Sequence, residues 1–479
     1  MVSYKDYEIV IGLEIHAELN TETKVFCACK NAFGSDQNTN CCPVCVGLPG
    51  ALPVLNKKAV EYTIKAGLAA GCEINNIAIF ERKNYFYPDL SKAYQISQLE
   101  KPICIGGGIM LDSGKFIRLN RIHLEEDAGK LIHRSVQAGT FIDYNRGGVP
   151  LIETVTEPDI SSAEEAVEFL TKWRQNLIFA GVANCKMEQG GMRCDVNLSV
   201  RKVGAPLGTR TEMKNLNSFK SVFRAIEYEA SRQIEELEAG RKIVQETRKW
   251  DDDKGKSFSM RSKEEAEDYR YFPDPDILTV DITRDDVERV KKTLPMLPTE
   301  RVNKYVTEYG LPEYDAKILT TEKYISDYFD EAVSMYDSPK DISNWIMTDL
   351  LKTLKETETE DLSAIISAKN LVDIIKMINE KTITRTNGKT LFEKVCETKK
   401  DAASLAKELG YLDQMSVEEM IKLIDMIFEK NPKAIADYKL EPADVTNYFI
   451  GQLMRETRGK AKVDIAKPII IDKLESLNN

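Results

Sequence analysis

The chain has 479 residues, 42% hydrophobic and 30% charged, a composition that is typical of a globular protein and excludes a disordered or fibrous one. At roughly 100–200 residues per domain, this length predicts about three domains. The net charge of −11 excludes a uniformly basic nucleic-acid-binding protein, although a local basic patch is compatible with it. We find no sequence window typical of a membrane span or a secretion signal, so we expect a cytoplasmic protein with no membrane partner.

The first predicted strand is Tyr7–Leu19, because apolar and polar residues alternate along it and place Glu14 and His16 on one face. A capping box formed by Ser162 and Glu165 predicts a helix, and a second helix is expected from about Ser218 to Leu237. Further strands are predicted at Phe116–Leu124, Val149–Val155, Arg193–Arg201 and Thr209–Lys214. Strands with few intervening helices favour an α+β fold with a largely antiparallel sheet.

The second half of the chain has a different composition. The charged segment Gln245–Pro275 is interpreted as a long connection, and only five of the 26 glycines follow residue 294. Scarce glycine and apolar residues at helical spacing predict helices, one of them begun by a capping box at Ser416 and Glu419. We therefore predict an α/β domain over residues 1–294, an all-α domain over 295–410 and a small helical tail domain over 411–479.

Four of the ten cysteines have the spacing of a metal site, Cys27-Ala-Cys29 and then Cys42-Pro-Val-Cys45. Two close thiolate pairs can supply the four sulfurs that a structural Zn²⁺ requires, and four thiolates leave no open position for catalysis. Buried thiols or a redox Cys-x-x-Cys pair are the alternatives, but a redox pair leaves the first two cysteines unexplained. Cys41 is adjacent to Cys42 and could replace it as a ligand.

Carboxylates recur in strand-like, otherwise apolar surroundings. Glu14 and His16 lie about 7 Å apart on one strand face. The other such carboxylates are Glu126, on a face with Ile122 and Leu124, and Glu153, Asp195 and Glu212. Each needs a partner, because burying an unpaired charge is costly. Oxygen ligands favour Mg²⁺, and ordinary ion pairs with Arg121, Arg193 or Lys214 are an equally supported alternative.

Several catalytic motifs are absent from the sequence. There is no G-x-x-x-x-G-K-[ST] loop and no G-x-S-x-G elbow. The other two histidines, His123 and His133, are interpreted as surface residues or as residues that support a site without forming it. Any group transfer is thus expected to use metal and phosphate chemistry, with an acyl nucleophile supplied by another chain.

Two segments mix cations and aromatic residues, Arg82–Asp89 and Asp268–Asp274. They can hold phosphates and stack bases, or they can be packed loops at the rim of the core. The stretch Gly451–Lys473 has a net charge of +3. It can contact an RNA backbone or form a solvated helix face, and its candidate nucleic-acid contacts are Arg455, Arg458, Lys460 and Lys462.

The whole chain resembles the GatB family, the B subunits of the glutamyl/aspartyl-tRNA amidotransferases. The motifs that carry the resemblance are spread from the first strand to the tail. They are VIGLEIHAEL at Val10–Leu19, RKNYFYPDLSKAYQISQ at Arg82–Gln98, RIHLEEDAGK at Arg121–Lys130, NRGGVPLIETVTEPD at Asn145–Asp159, MRCDVNLSVR at Met192–Arg201, EMKNLNSF at Glu212–Phe219, DYRYFPDPD at Asp268–Asp276 and FIGQLMRETRGKA at Phe449–Ala461.

The resemblance implies a kinase-like subunit of a heterotrimer, with residues 1–294 as its ATP-binding cradle. ATP and Mg²⁺ phosphorylate the side-chain carboxylate of Glu on tRNA(Gln) or Asp on tRNA(Asn), and ammonia from a separate amidase (glutaminase) subunit then gives the amide. A small third subunit completes the assembly. The implied Mg²⁺ ligands are Glu14, His16, Glu126 and Glu153, with Asp195 and Glu212 nearby, and His16, Glu126 and Glu153 are the implied catalytic residues. Lys83, Arg121 and Lys214 are expected phosphate contacts, and Cys27, Cys29, Cys42 and Cys45 match the family's zinc knuckle.

Two other functions stay open from the residues alone. One is a zinc-stabilised RNA-binding scaffold whose carboxylates form structural ion pairs, and the other is an autonomous amide ligase acting on a small carboxylate. The sequence leaves open whether tRNA(Gln), tRNA(Asn) or both are served.

Overall fold

The computed structural model describes residues 6–133, 139–262, 269–357, 359, 361–412, 417–457, 461 and 463–478. The chain forms two compact units, Met1–Pro298 and Thr299–Asn479. The first unit combines sheets with helices and the second is helical, so the α+β prediction is confirmed. Among the described helices, none has the length and apolarity that crossing a membrane requires.

The described strands all lie in the first unit. They are β1 (Tyr7–Glu18), β2 (Glu73–Ile74), β3 (Ile77–Ala78), β4 (Glu81–Asn84), β5 (Tyr94–Ser97), β6 (Cys104–Ile105), β7 (Gly108–Met110), β8 (Phe116–Glu126), β9 (Lys130–His133), β10 (Thr140–Asp143), β11 (Pro150–Thr156), β12 (Met192–Lys202), β13 (Thr211–Leu216), β14 (Glu246–Asp251), β15 (Lys256–Ser262), β16 (Phe272–Pro273) and β17 (Val280–Asp281).

The helices are divided between the units. The first unit contains α1 (Lys57–Ala69), α2 (Ala163–Phe179), α3 (Phe219–Glu238) and α4 (Arg284–Lys291). Then follow α5 (Pro298–Thr307), α6 (Glu313–Leu319), α7 (Lys323–Met335), α8 (Pro339–Trp345), a π-helical segment at Ile346–Leu350, α9 (Leu351–Glu356), α10 (Leu362–Ile365), α11 (Ala368–Asn379), α12 (Arg385–Thr398), α13 (Ala402–Glu408), α14 (Val417–Lys430), α15 (Pro432–Ala436), α16 (Pro442–Glu456) and α17 (Val463–Asn478).

The large sheet positions the site. Its strand order is β15-β14-β13-β12-β1-β11-β8-β6-β2, with β7 beside β8. Its pairs are antiparallel except β13 with β14, which are parallel and joined through α3. The prediction of a largely antiparallel sheet is therefore confirmed. A second, smaller sheet has the order β16-β4-β5.

One face of β1 forms the core of this unit. Ile11, Leu13 and Ile15 are fully buried and belong to one apolar cluster with Trp173 of α2 and Ile226 of α3. The Ser162 hydroxyl accepts from the Glu165 amide at 3.2 Å, which is one half of the predicted capping box, whereas the Glu165 carboxylate accepts from the Ser161 amide at 2.8 Å. The second predicted helix, α3, is capped by the Ser218 hydroxyl, which accepts from the Ser221 amide at 3.0 Å. Since the apolar face of β1 is covered, its polar face is left for chemistry.

The interpretation of Gln245–Pro275 as a connection is wrong for most of its described part. Residues 246–251 and 256–262 form β14 and β15, which extend the large sheet. Trp250 is buried there although its neighbours are charged. The pairing with β15 shifts between Thr247 and Arg248, whose partners are Arg261 and Ser259, so Met260 is the extra residue of a bulge in β15.

The helical unit has two separate apolar cores among its described residues. One extends from Tyr305 to Ala406 and the other from Met420 to Leu474. The capping box at Ser416 and Glu419 includes a residue outside the described part of the chain. The division of the chain into three domains stays a prediction.

Candidate active site

The polar face of the large sheet collects most of the candidate ligands from five neighbouring strands, β13, β12, β1, β11 and β8. Side chains of directly opposed residues in paired strands lie on the same face. His16 of β1 is opposite Glu153 of β11, which is opposite His123 of β8. Glu14 is opposite Asp195 of β12. Antiparallel register therefore assembles a site from segments that are far apart in sequence.

The first ligand group consists of His16, Glu125 and Glu153, whose ligand atoms lie within 4.8 Å of one another. His16 Nε2 is 3.5 Å from Glu125 Oε1 and 3.3 Å from Glu153 Oε2. His123 Nε2 lies 3.6 Å from Glu125 Oε2 and 3.5 Å from Glu153 Oε2. The Ser97 hydroxyl donates to Glu125 Oε2 at 3.1 Å, so β5 helps to orient this carboxylate.

The charged forms of the histidines and carboxylates in this group stabilise one another. Burial alone lowers the pKa of His16, but the hydrogen bond to Glu153 and the charges of Glu153 and Glu125 outweigh burial and raise that pKa to about 9. Burial opposes the ionisation of Glu153, yet the two histidines and Lys83 outweigh it and lower the pKa of Glu153. A bound cation would replace the proton on His16 as the partner of these carboxylates.

The second ligand group consists of Glu14, Asp195 and Glu212, and its ligand oxygens also lie within 4.8 Å of one another. Burial, followed by the charges of Glu153 and Glu212, raises the pKa of Glu14. Lys214 Nζ is 2.6 Å from Asp195 Oδ2 and 2.9 Å from Glu212 Oε1. Lys214 thus neutralises part of the charge in the group.

Both groups have the chemistry of a divalent-cation site. Carboxylate oxygens are the donors that Mg²⁺ prefers, and each group brings its three donors close enough to share one ion. Glu14 and His16 are two residues apart on β1, so the groups are neighbours separated by about 7 Å along that strand.

The structure separates Glu126 from both groups. On β8 the side chains of Arg121, His123 and Glu125 alternate with those of Ile122, Leu124 and Glu126, so that Glu126 lies on the opposite face. Lys92 Nζ binds its two carboxylate oxygens at 2.6 and 2.7 Å, and the Ile96 amide donates to Oε1 at 3.0 Å. Glu126 is therefore the partner of Lys92, and Glu125 takes the position beside His16.

Sequence reasoning missed Glu125 and left two interpretations of His123. The His123 and Glu125 side chains are each only 3% exposed, and His123 lies beside Glu125 and Glu153, so its position agrees with a residue that supports the site and not with a surface residue. The signal was present in the sequence, because period-two alternation places Arg121, His123 and Glu125 together. The sequence does not give the register in which β8 pairs with β11, and that register determines which face of β8 lies on the same side of the sheet as His16.

The three predicted phosphate contacts lie around this face. Lys214 is in the second group, and Arg121 Nε lies 3.4 Å from His123 Nδ1. Lys83 Nζ is above the ring of Tyr269, 4.8 Å from its centroid. These cations are placed beside the carboxylates, where phosphate groups would need neutralisation.

The two aromatic–basic segments lie side by side. The Asn84 amide donates to the Tyr269 carbonyl at 2.9 Å, and β4 pairs with β16 through Arg82 and Phe272. Arg82 Nε donates to Asp274 Oδ2 at 2.7 Å. Many of these side chains pack against one another, as expected for loops at the rim of the core. Lys83 instead faces the site, where its charge acts on Glu153.

The four predicted zinc ligands meet at one point. The sulfurs of Cys27, Cys29, Cys42 and Cys45 lie within 4.8 Å of one another, with Cys27–Cys45 at 3.5 Å and Cys42–Cys45 at 3.8 Å. A tetrahedral ion with bonds of about 2.3 Å to sulfur needs sulfurs about 3.8 Å apart, so the spacing fits Zn²⁺. Cys41 points away, with its sulfur 3.7 Å from Asn145 Oδ1.

A buried cation accompanies the thiols. Lys24 is fully buried and its Nζ donates to Cys45 Sγ at 3.4 Å and to the Tyr144 carbonyl at 3.1 Å. The hydrogen bond from Cys27 is the largest cause that lowers the pKa of Cys45 to about 4, and Lys24 adds to it. The group is thus suited to hold a thiolate, which is the form that binds zinc.

The predicted nucleic-acid contacts are only partly described. Arg455 lies in the last turn of α16. Arg458, Lys460 and Lys462 lie outside the described residues.

Comparison with known proteins supports the fold and the site together. Residues 9–288 match the family model described as the GatB/GatE catalytic domain, and residues 327–474 match the one described as the GatB domain. The site lies entirely within the first match, which makes this unit a catalytic domain.

Relatives match along the full length. The B subunit of the aspartyl/glutamyl-tRNA(Asn/Gln) amidotransferase of Caldicellulosiruptor bescii is 49% identical, covering 98% of this chain and 100% of the relative. Proteins with the same name from Caldanaerobacter subterraneus and Thermodesulfovibrio yellowstonii are 47% and 48% identical, each covering 98% of this chain and 99% of the relative. The chain belongs to the GatB family.

Proposed function

We propose that this chain is the kinase and transamidation subunit of a tRNA-dependent amidotransferase. It uses ATP to phosphorylate the side-chain carboxylate of Glu on tRNA(Gln), of Asp on tRNA(Asn), or of both. Ammonia then converts the acyl phosphate into the amide. The observation that carries the proposal is the pair of neighbouring ligand groups on one sheet face of a family catalytic domain.

A bound metal ion and cationic side chains would together neutralise the charge of the phosphates. His16, Glu125 and Glu153, together with Glu14, Asp195 and Glu212, would hold Mg²⁺, whose charge neutralises phosphate oxygens. Lys83, Arg121 and Lys214 supply fixed positive charge around the same face. Phosphoryl transfer needs mostly positioning and charge neutralisation, which such a constellation provides.

The reaction has two steps. A carboxylate oxygen of the aminoacyl side chain bonds to the γ-phosphorus as the bond to the bridging β–γ oxygen breaks, giving ADP and an acyl phosphate. The ammonia nitrogen then bonds to the carbonyl carbon, phosphate leaves, and nitrogen loses a proton. Activation is required because a carboxylate oxygen is a poor leaving group and phosphate is a good one.

The proposed assembly contains an amidase (glutaminase) subunit, which releases ammonia from glutamine, and a small third subunit. We place this heterotrimer in the cytoplasm with the mischarged tRNA. The relatives are named as the B subunits of amidotransferases, which supports an enzyme of several subunits. Arg455, with Arg458, Lys460 and Lys462, is the proposed tRNA contact of the tail.

The thiol group is proposed to hold a structural Zn²⁺ through Cys27, Cys29, Cys42 and Cys45. Four sulfur ligands complete a tetrahedral shell, so this ion would stabilise the loop that follows β1 and take no part in the reaction.

ADP release by the natively purified complex tests the function. It is measured with Mg²⁺ and no amide donor, and glutamyl-tRNA(Gln), aspartyl-tRNA(Asn), uncharged tRNA and free glutamate are compared. Release that requires a mischarged tRNA supports the proposal and identifies the tRNA served. Release with free glutamate alone would point to a small-molecule ligase, and tRNA binding without any release would point to a scaffold.

A further inference from the structure

A row of side chains crosses the outer strands of the large sheet, starting at the second ligand group. Lys214 of β13 is opposite Lys249 of β14, and Lys249 is opposite Phe258 of β15. The Thr247 hydroxyl of β14 donates to Glu212 Oε2 at 2.8 Å, so this face of β14 is the one that carries the ligand groups. The row therefore reaches from the ligand groups to the last described strand of the sheet, two strand spacings or about 10 Å beyond Lys214.

The ring of Phe258 is exposed and has ammonium groups around it. Its side chain is 46% exposed, and Lys254 Nζ lies 5.1 Å from the centroid of the ring. Lys249 and Lys256 are exposed on the same face, since Lys256 is two residues from Phe258 along β15. An exposed aromatic ring with cations beside it is the combination with which proteins hold single-stranded nucleic acid, because the ring stacks on a base and the cations contact phosphates.

The nearest carboxylates leave this edge of the sheet positive. Lys254 Nζ is 3.1 Å from Asp251 Oδ2 and neutralises it. Asp252 accepts hydrogen bonds from a serine of α3 and from the tryptophan of β14, at 2.6 and 2.8 Å. The charges of Lys249 and Lys256 thus remain on the exposed face. A local positive charge on a chain of net charge −11 favours an anionic ligand at this edge.

The opposite flank of the ligand groups is closed. His123 and Glu125 of β8 are each only 3% exposed, and the Ser97 hydroxyl of β5 donates to Glu125 Oε2 at 3.1 Å. β5 therefore covers this side of the first group. A large substrate has its open route to the ligand groups across β14 and β15, where Lys249 and Phe258 are exposed.

We infer that the edge formed by Lys249, Lys256 and Phe258 binds the single-stranded 3′ end of the charged tRNA, with a base stacked on the ring and phosphates at the lysines. The inference rests on the proposed function, which places the aminoacyl carboxylate at the ligand groups. That amino acid is esterified to the terminal ribose, so only a few single bonds separate the terminal nucleotide from the ligand groups. Single-stranded ends, whose bases are free to stack on aromatic side chains, are the part of an RNA that such a surface recognises.

Steady-state ADP release by the natively purified complex tests this contact. Phe258→Ala should raise the KM for mischarged tRNA about tenfold and leave kcat within about threefold, because it removes a stacking surface and no reacting group. Phe258→Tyr keeps an aromatic ring and should hold the KM within about twofold of the unsubstituted complex. Phe116→Ala is the matched control, since Phe116 is also 46% exposed but lies at the end of β8 that is distant from His123.

Binding of uncharged tRNA identifies the part of the tRNA that makes the contact. Filter binding compares intact tRNA with the same tRNA trimmed of its last three nucleotides. Phe258→Ala should weaken binding of the intact tRNA about tenfold and change binding of the trimmed tRNA by no more than about twofold. Lys249→Met combined with Lys256→Met should weaken binding of the intact tRNA about threefold and reduce its salt dependence, which tests the same edge even if Phe258→Ala fails to fold.

The outcomes separate this contact from the proposed function. An unchanged KM and an unchanged tRNA affinity in Phe258→Ala and in the lysine double variant would overturn the contact and leave the carboxylate kinase standing. Equal loss of intact and trimmed tRNA would also overturn it, because the edge would then contact the body of the tRNA. Weaker calorimetric binding of Mg²⁺–ADP with an unchanged KM for tRNA would overturn it and assign the ring to ATP.

Two further results bear on the identity of the partner. Loss of another subunit from the Phe258→Ala complex on gel filtration, with tRNA affinity unchanged, would overturn the contact in favour of a protein interface. ADP release that no mischarged tRNA stimulates in the unsubstituted complex would overturn both proposals.

Discussion

Glu125 and Glu126 are adjacent in sequence, yet their carboxylates lie on opposite faces of β8. Glu125 lies 3.5 Å from His16 Nε2 in the first ligand group, and Glu126 binds Lys92 at 2.6 Å on the other face. Two glutamates of identical chemistry are thus available for two different tasks. They form a matched pair for experiment.

Glu125→Gln should lower Mg²⁺-dependent ADP release by about 100-fold or more, because it removes a charged donor next to His16. Glu126→Gln should keep ADP release within about tenfold, equivalent to ~1.4 kcal/mol. It should instead destabilise the fold by on the order of 3 kcal/mol, because Lys92 keeps a buried charge without its partner. ADP release and urea unfolding are measured on both variants, and equal loss of ADP release would contradict the assignment of roles.

Zinc content separates Cys42 from Cys41. Cys27→Ser and Cys42→Ser should lower the zinc bound per chain from one to nearly none and decrease the thermal midpoint, because three thiolates hold the ion far more weakly. Cys41→Ser is the control and should retain full zinc, since its sulfur points to Asn145. Mass spectrometry of the metal after gel filtration gives the stoichiometry. Zinc loss in Cys41→Ser with retention in Cys42→Ser would reverse the ligand assignment.

The stability of the metal-free protein should depend on the proton of His16. Its pKa is raised to about 9 in the folded chain from an ordinary value of 6.5, so the stabilisation is fully present below pH 6.5 and is lost as pH rises through 9. In EDTA, the free energy of unfolding should therefore fall by on the order of 2–3 kcal/mol across this window.

His16→Asn should flatten that pH dependence, and His133→Asn, a change at an exposed histidine on β9, should preserve it. Urea unfolding at pH 6 to 10 provides the measurement. A decline of unchanged steepness in His16→Asn would show that another group is responsible.

Lys214→Met should make the protein more dependent on Mg²⁺. Removing this ammonium leaves Asp195 and Glu212 without their bound cation, which destabilises the metal-free state and strengthens the attraction for a divalent ion. The thermal midpoint should start lower in EDTA and rise by several degrees more with Mg²⁺ than in the unsubstituted protein. Lys101→Met, on an exposed loop, is the control. A variant that gains no extra stabilisation from Mg²⁺ would show that Lys214 does not occupy a cation position.

The sequence predicted individual strands better than it predicted how they combine. The alternation along Tyr7–Leu19 gave both faces of β1 correctly, because burial on one side imposes a period of two. The same rule placed Glu126 with Ile122 and Leu124, and the structure agrees. It could not say which face of β8 meets His16, since that depends on the pairing of β8 with β11, two strands formed by distant segments.

Strands near the end of the large sheet were harder for a related reason. β14 carries Arg248, Lys249 and Asp251, so its charge predicted a loop. Its place in the sheet comes from parallel pairing with β13 and from buried Trp250, both of which are tertiary effects. The cysteine group was more accessible to prediction, because short spacing within one loop nearly determines which sulfurs can meet.

Because β1 has one apolar and one polar face, its correct pairing determines both the stability of this unit and the assembly of the ligand groups. A shift of one residue in the pairing of β1 would turn Ile11, Leu13 and Ile15 toward water and bury Glu14 and His16 in the apolar core. Such a misaligned chain would lose much of its burial free energy and would be a poor competitor of the native state. Quality control by stability alone would thus also select the chains whose ligand groups are assembled, so that few folded but inactive subunits would reach the complex.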